Sequence, residues 1–309
     1  NAKLLRRTFP ALSGEISHVI HVRRAGDFSS RQMGSFMLRR AGSRGVRRLI
    51  GDVVGIDCGA RFALDIERPS GRLRVFADTL VNAAGPFAAS IAAMTGVELP
   101  VTNVFQQKLA FEDVRGAVPR DLPFAIDVDA QRLDWSVEDR ALLRSDPALE
   151  WLTDSTPGGV HCRPEGSGRR IKLGWAYNRQ AREAKRDLAG EPGLHPHFAE
   201  IVLRRAARLL PALAAYVDSP PARPSQYGGY YTMTPENWPL VGPAGPAGAF
   251  LVAALSGFGS MAACAAGKLC ASWIDGGTLP PYARELSPAR YDDAHFAATL
   301  RMSDAGGLL

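Results

Sequence analysis

Gly228-Gly229-Tyr230-Tyr231-Thr232-Met233-Thr234-Pro235-Glu236-Asn237-Trp238-Pro239-Leu240-Val241-Gly242 leads to the unbroken apolar run Ala249 to Leu255, and this empties into Ser256-Gly257-Phe258-Gly259-Ser260. The apolar run has the composition of a strand buried on both faces. A small-residue stretch of helical character follows the Gly/Ser turn. The first N–H groups of a helix have no intrahelical partner. A buried strand feeding such a turn and helix start therefore builds a site for a polar or anionic group.

Thr79-Leu80-Val81-Asn82-Ala83-Ala84-Gly85-Pro86-Phe87-Ala88 has the same design. It predicts a buried strand, a tight turn and a helix through Met94. Small residues let backbone amides approach a ligand closely, and Pro86 suits a first helical turn. An ordinary strand-to-helix turn fits the same residues.

Ser29 and Gln32 form an S-x-x-Q start signal. Met33, Phe36, Met37 and Ala41 follow at helical spacing, with a stop near Gly42 or Gly45. Val53 to Ile56, Phe62 to Ile66 and Leu73 to Ala77 are short β-type runs, the last two parted by Pro69-Ser70-Gly71, and predict a three-stranded meander. Beyond Pro100, strand-like pieces (Phe105 to Phe111, Gly159 to Arg163, Ile171 to Trp175) alternate with charged, irregular stretches. Phe198, Ile201, Val202, Ala206, Leu209 and Leu213 mark an amphipathic helix. Pro220-Pro221-Ala222-Arg223-Pro224 is a connector. The middle region is expected to be a domain inserted between two parts of another.

The 309 residues suffice for one large domain or two ordinary ones, and 46% hydrophobic with 22% charged residues is a globular mixture. No apolar run approaches the roughly 20 residues that span a bilayer. The first residues lack the apolar core of a secretion signal, and a cytoplasmic location is expected. The net charge of +6 comes from scattered doublets such as Arg23-Arg24 and Arg47-Arg48, so no nucleic-acid partner is expected. Cys58, Cys162, Cys264 and Cys270 form no CxxC pair, which argues against a zinc ribbon and for free buried thiols. His195 and His197 flank Pro196 with no third ligand near in sequence, and no metal is expected.

Val81-Asn82-Ala83-Ala84-Gly85 resembles the "VNAAG" motif of the D-amino-acid-oxidase-like FAD-dependent oxidoreductases, the group of glycine oxidase, sarcosine oxidase and dimethylglycine dehydrogenase. Tyr231 to Glu236 resembles their "YTMTPD" element, Pro239 to Gly242 their "PxxG", and Ser256 to Gly259 their "SGHG" flavin loop. The motifs fall in family order. The resemblance implies an α/β fold of mixed α+β character: a Rossmann-type FAD-binding domain with an inserted antiparallel-sheet substrate domain. The expected boundaries are 1–99 and 225–309 for the FAD-binding parts and 100–224 for the sheet domain.

The same resemblance implies site residues. Val53 matches the position that meets the adenine, and Ala83, Ala84 and Gly85 match a turn near the dinucleotide. Gly242 belongs to the "PxxG" element. Gly257, Gly259, Ser260 and Met261 match the helix start beneath the flavin pyrimidine, where a helix N-terminus stabilises negative charge on the reduced ring. Ile171-Lys172-Leu173-Gly174-Trp175 resembles a sarcosine oxidase strand whose lysine lies near flavin N5 and assists the reaction with oxygen. Alternation puts Lys172 and Gly174 on one face and Ile171, Leu173 and Trp175 on the other. A solvated lysine on an exposed strand fits the same pattern. Tyr231, with Tyr230 and Trp175, is expected to wall the substrate pocket; ordinary core is the other reading of these aromatics.

Several family features are missing. No GxGxxG occurs in the sequence, and no Met stands first, which together suggest a chain without the first βαβ unit and with weakened FAD binding. Gly229 stands where sarcosine oxidase attaches its flavin through a cysteine, so FAD is expected to be held non-covalently at that position. Phe258 replaces the "SGHG" histidine. Met261 and Tyr231 stand where relatives carry cations for the substrate carboxylate. The resemblance thus implies oxidation of a C–N bond by hydride transfer to flavin N5, with a small-molecule amine or amino acid as substrate. Oxygen or an electron carrier would be the acceptor. A non-catalytic flavoprotein-like subunit or assembly factor is the alternative.

Overall fold

The computed structural model describes residues 2–185 and 194–296. Its largest sheet has five strands in the order Ser225–Met233, Thr102–Glu112, Arg170–Gly174, Val160–Pro164, Ala125–Asp127, all antiparallel. Alternation along these strands gives the sheet one apolar face. Leu109, Phe111, Val160, Cys162, Ile171, Leu173 and Trp175 lie on it, in one core with the helix Phe198–Leu209. The helix presents Phe198, Ile201, Val202, Ala206 and Leu209, as its spacing predicts. It stops before Pro211, which cannot continue it. Leu213 therefore falls in the following turn while still reaching the same core. Arg205 is fully buried there and bonds to Asp127 and to the carbonyl of Asp129, both at 2.7 Å.

A second, three-stranded sheet has the order Leu240–Pro243, Ala249–Ala253, Leu80–Asn82, with the last pair parallel. The helix Gly259–Ile274 packs on it through Ala266, Leu269 and Cys270. The expected meander forms from Asp52–Cys58, Phe62–Glu67 and Leu73–Ala77. It joins the second sheet through Ile56, Phe62 and Ala249.

Ser29 caps the helix Ser30–Gly42 by accepting from the N–H of Gln32 at 3.2 Å. No residue of this helix is buried, and Phe36, Met37 and Leu38 are exposed. The periodicity located the helix correctly, but no described element covers its apolar side. The stretch between Asp113 and Gly159 is less irregular than its charge suggests, for it holds the helix Val137–Ser145, capped by Ser136. Among the described residues, no helix is long and apolar enough to cross a membrane. Only Cys162 and Cys270 are buried; Cys58 and Cys264 are exposed free thiols, which corrects the expectation of four buried ones.

Candidate functional site

Asn82 shapes the first turn. Its side-chain amide donates to the carbonyl of Ala88 at 2.8 Å, and its Oδ1 accepts from the N–H of Ala84 at 3.2 Å. Gly85 follows at φ +56°, and a Cβ placed there would meet nothing within 4 Å. Facing this turn is the junction after Ala249–Ala253, where Ala254 (φ 55°) and Ser256 (φ 48°) both take left-handed backbone. Such strain in non-glycine residues concentrates at ligand sites. The helix Gly259–Ile274 then starts without a side-chain cap. The 3-10 turn Ser256–Phe258 runs directly into it, and the Phe258 N–H already donates to the carbonyl of Leu255 at 2.9 Å. A cleft of about 560 Å3 lies between these parts, bordered by Ala83, Gly85, Ser256, Gly267, Tyr230 and Thr232, among others.

The segment Thr234 to Pro239 is a latch. Thr234 Oγ1 donates to the carbonyl of Trp238 at 2.8 Å and accepts from its N–H at 2.9 Å. Asn237 takes φ 59° within this turn. Glu236 pairs with Arg290, and both are buried. Arg290 also donates to the carbonyls of Pro239 (2.6 Å) and Glu285 (3.0 Å). Tyr291 donates to Glu236 at 2.8 Å, and burial pushes its phenol up to about 12. Arg290 escaped sequence reasoning because it lies in a tail with no pattern around it.

The second face of the five-stranded sheet is polar. Strand pairing puts Lys172 opposite Ala110 and Arg163, and Gly174 opposite Lys108 and His161. Tyr227 opposes Lys108, and Tyr231 lies four residues further along the same side of its strand. Lys172 Nζ stands 5.3 Å from the Tyr227 ring centroid, a cation–π distance. The space over Gly174 is filled, because Lys108 and His161 reach across it and meet at 2.9 Å.

The predicted residues divide between these regions. Ala83 and Gly85 border the cleft. Ala84 is the turn residue held by Asn82. Gly257 lies in the short turn Ser256–Phe258, and Gly259 opens the helix. Ser260 and Met261 are exposed in its first turn. Val53 packs in the core between meander and second sheet. Gly242 is buried, and a Cβ there would meet the Ser287 hydroxyl at 3.1 Å and the Trp273 indole at 3.3 Å. Neither Lys172 nor Tyr231 borders the cleft. Tyr231 is half-buried, which raises its pKa. The three-residue aromatic wall does not form. Trp175 is fully buried against Trp151 and Tyr177, and Tyr230 points to the opposite face from Tyr231, where it packs on Phe105.

A mixed α/β sheet with an antiparallel-sheet companion, meeting at a turn-and-helix cleft, is the architecture of a flavin-binding oxidoreductase. The FAD dependent oxidoreductase (DAO) family matches residues 1–273, and the chain belongs to it. Human mitochondrial dimethylglycine dehydrogenase is 27% identical over 233 residues, which cover 74% of this chain and 23% of that protein. Glycine oxidase from Geobacillus kaustophilus superposes with a TM-score of 0.66 at 17% identity, over 93% of this chain and 65% of the enzyme. L-proline dehydrogenase from P. horikoshii gives 0.66 at 19% identity, over 94% and 68%. The two solved structures share this chain's fold. The chain thus spans under a quarter of the curated relative and about two thirds of the structural ones.

Proposed function

We propose that the protein is an FAD-dependent oxidoreductase that oxidises the C–N bond of an amine or amino acid. The observation that supports this reading best is the edge strand Ser225–Met233. One side of it, through Tyr230 and Thr232, borders the cleft. The other carries Tyr231 and Tyr227, with the Tyr227 ring 5.3 Å from Lys172 Nζ.

The cleft suits a cofactor of this kind. Gly85 leaves room for close backbone approach, the helix start at Gly259 is uncapped, and Ala254 and Ser256 are held in strained backbone. Ala83, Ala84, Gly85, Gly257 and Gly259 would hold FAD, and no thiol is available at Gly229 to attach it. When bound, FAD would supply the two-electron acceptor for oxidation of the C–N bond. The substrate imine then hydrolyses in water. The chain's own share is orientation and electrostatics. The helix N-terminus at Gly259 favours negative charge beside it. A free amine is needed at the moment of transfer, and a cationic surrounding lowers an amine's pKa. Oxygen or an electron carrier is the final acceptor.

The experiment is an absorbance spectrum of the purified protein mixed with FAD, followed by anaerobic addition of amines and amino acids. Amine-dependent bleaching of the flavin bands is expected. Absence of bleaching across a broad panel sinks the reading.

A further inference from the structure

The arginine doublets are more concentrated than a count over the whole chain suggests. Residues 16–51 hold eight arginines, one aspartate and no lysine or glutamate, so the chain's net charge of +6 resides here. The aspartate, Asp27, is taken up by Arg163 of the large sheet at 3.1 Å. No residue from 17 to 52 is buried.

The charge is densest at the C-terminal end of the helix Ser30–Gly42. Arg39, Arg40, Arg44, Arg47 and Arg48 all lie there and all are exposed. Among the described residues, none of the five has a carboxylate partner. The turn that carries them is held by its own hydrogen bonds. The N–H groups of Ser43, Arg44 and Val46 donate to the carbonyls of Arg39 (3.0 Å), Ala41 (2.9 Å) and Ala41 (3.2 Å). The Ser43 hydroxyl donates to the carbonyl of Arg40 at 2.9 Å. Gly45, at φ +89°, lets the chain reverse. Like charges gathered on one turn repel, and an anionic surface relieves the repulsion. Apolar side chains share this tip. Phe36, Met37 and Leu38 are exposed on the helix, and Val46, Leu49 and Ile50 flank the last arginine doublet, Ile50 with 71% exposure.

Charge and apolar surface together select the partner. A second copy of this surface would set arginines against arginines. Nucleic acid would match the charge but leave the aliphatic side chains without a counterpart. An apolar protein groove would strand the guanidinium groups away from water. An anionic bilayer meets both demands, with phosphate groups for arginine and acyl chains just beneath them. The long arginine stems reach the headgroups while the neighbouring apolar side chains sit deeper. We propose that the end of the helix Ser30–Gly42 and residues 46–50 dock on the surface of an anionic lipid membrane. The contact is with the headgroup layer and the outermost acyl chains. It stands apart from the oxidoreductase reading and uses none of the residues of the cleft.

Co-sedimentation of the purified chain with lipid vesicles tests this. One set is phosphatidylcholine alone, and the other contains about a third phosphatidylglycerol. Binding to the anionic set only is expected, weakening as salt rises from about 0.1 M to about 0.5 M. Arg47→Gln with Arg48→Gln is expected to weaken binding roughly tenfold or more. Ile50→Ser is expected to weaken it at every salt concentration alike, since the lost contact is apolar. Arg72→Gln with Arg223→Gln removes the same charge from exposed sites elsewhere, and is expected to change binding less than about twofold. Circular dichroism checks that each variant folds, and Arg39→Gln with Arg40→Gln supplies a second tip pair if the first does not. Equal binding to both vesicle sets, equal losses in the tip and control pairs, or unchanged binding in both tip pairs overturns the proposal. Absence of binding to anionic vesicles overturns it as well. A concentration-dependent dimer would then give the surface to a second copy, and binding to a DNA duplex would give it to nucleic acid.

Discussion

The side-chain amide of Asn103 donates to the carbonyl of Pro86 at 2.8 Å, tying the first strand of the large sheet to the turn that borders the cleft. Its Oδ1 accepts from the Thr232 hydroxyl at 2.7 Å. One residue thus joins the turn, the sheet and the edge strand. Asn103→Ala leaves the Pro86 carbonyl and the buried Thr232 hydroxyl without these partners. A stability decrease of about 1–3 kcal/mol is expected, the cost of orphaned buried polar groups. FAD affinity is expected to fall with it. Urea unfolding and flavin titration measure the two effects, and full affinity in a destabilised variant would show that the turn keeps its shape alone.

Lys172→Met tests the reoxidation step. The cation lies on the same side of its sheet as Tyr231, and oxygen gains negative charge as it accepts electrons. Reoxidation is expected to slow by roughly a hundredfold, the usual scale for removing one preorganised charge, while anaerobic flavin reduction changes little. Stopped-flow absorbance separates the two half-reactions. Equal reoxidation rates in variant and parent take Lys172 out of the mechanism.

Arg290→Met breaks the buried pair with Glu236. Removing one partner strands a buried charge, and a decrease of about 3–5 kcal/mol is expected. The double change Arg290→Met with Glu236→Leu is expected to recover part of this, because no charge is then left buried. Chemical denaturation of the parent and variants decides the matter.

The Lys108–His161 pair gives stability a pH dependence on both sides of neutrality. The groups facing it are Lys172 and Arg163, with Tyr227 and Phe124 alongside. His161 titrates at about 3 folded against 6.5 unfolded, so its contribution is present above 6.5 and is lost as pH falls towards 3. Lys108 titrates at about 8 folded against 10.5 unfolded, so the cost of burying its charge is full below 8 and is relieved as pH rises to 10.5. His161→Asn is therefore expected to unfold at lower pH than the parent. The stability difference between parent and Lys108→Met is expected to move in the parent's favour from pH 8 to 10.5. Thermal unfolding across pH 3–11 measures both, and parallel curves would contradict the assignment.

Local pattern carried much of the fold. The Ser29 cap, the meander and the strand-turn-helix units at Asn82 and Ser256 are built from neighbours in sequence, so their signals lie in short windows. Alternation likewise assigned Lys172 and Gly174 to one face and Ile171, Leu173 and Trp175 to the other. The failures concern distance. Trp175 has the same composition signal as a pocket aromatic, and only the helix Phe198–Leu209 packing over it makes it core. The strand Ser225–Met233 begins at the expected domain boundary, yet its pairing with Thr102–Glu112 joins segments far apart in sequence. Lys108 and His161 are 53 residues apart, and two strand registers bring them together. In the sequence Lys108 closes the polar triplet Gln106-Gln107-Lys108 between the apolar pieces Val104-Phe105 and Leu109 to Phe111, and the triplet says nothing of a partner at His161.

Gly174 is recognisable by nothing it contributes, since what matters is the volume it leaves empty. Alanine differs from glycine by one base in any of its codons, and the added methyl would push apart two groups that both remain in the sequence. A survey of this sequence that counted only its charged residues would score such a change as silent. The Lys108–His161 bond is thus a heritable trait recorded at a position that takes no part in it.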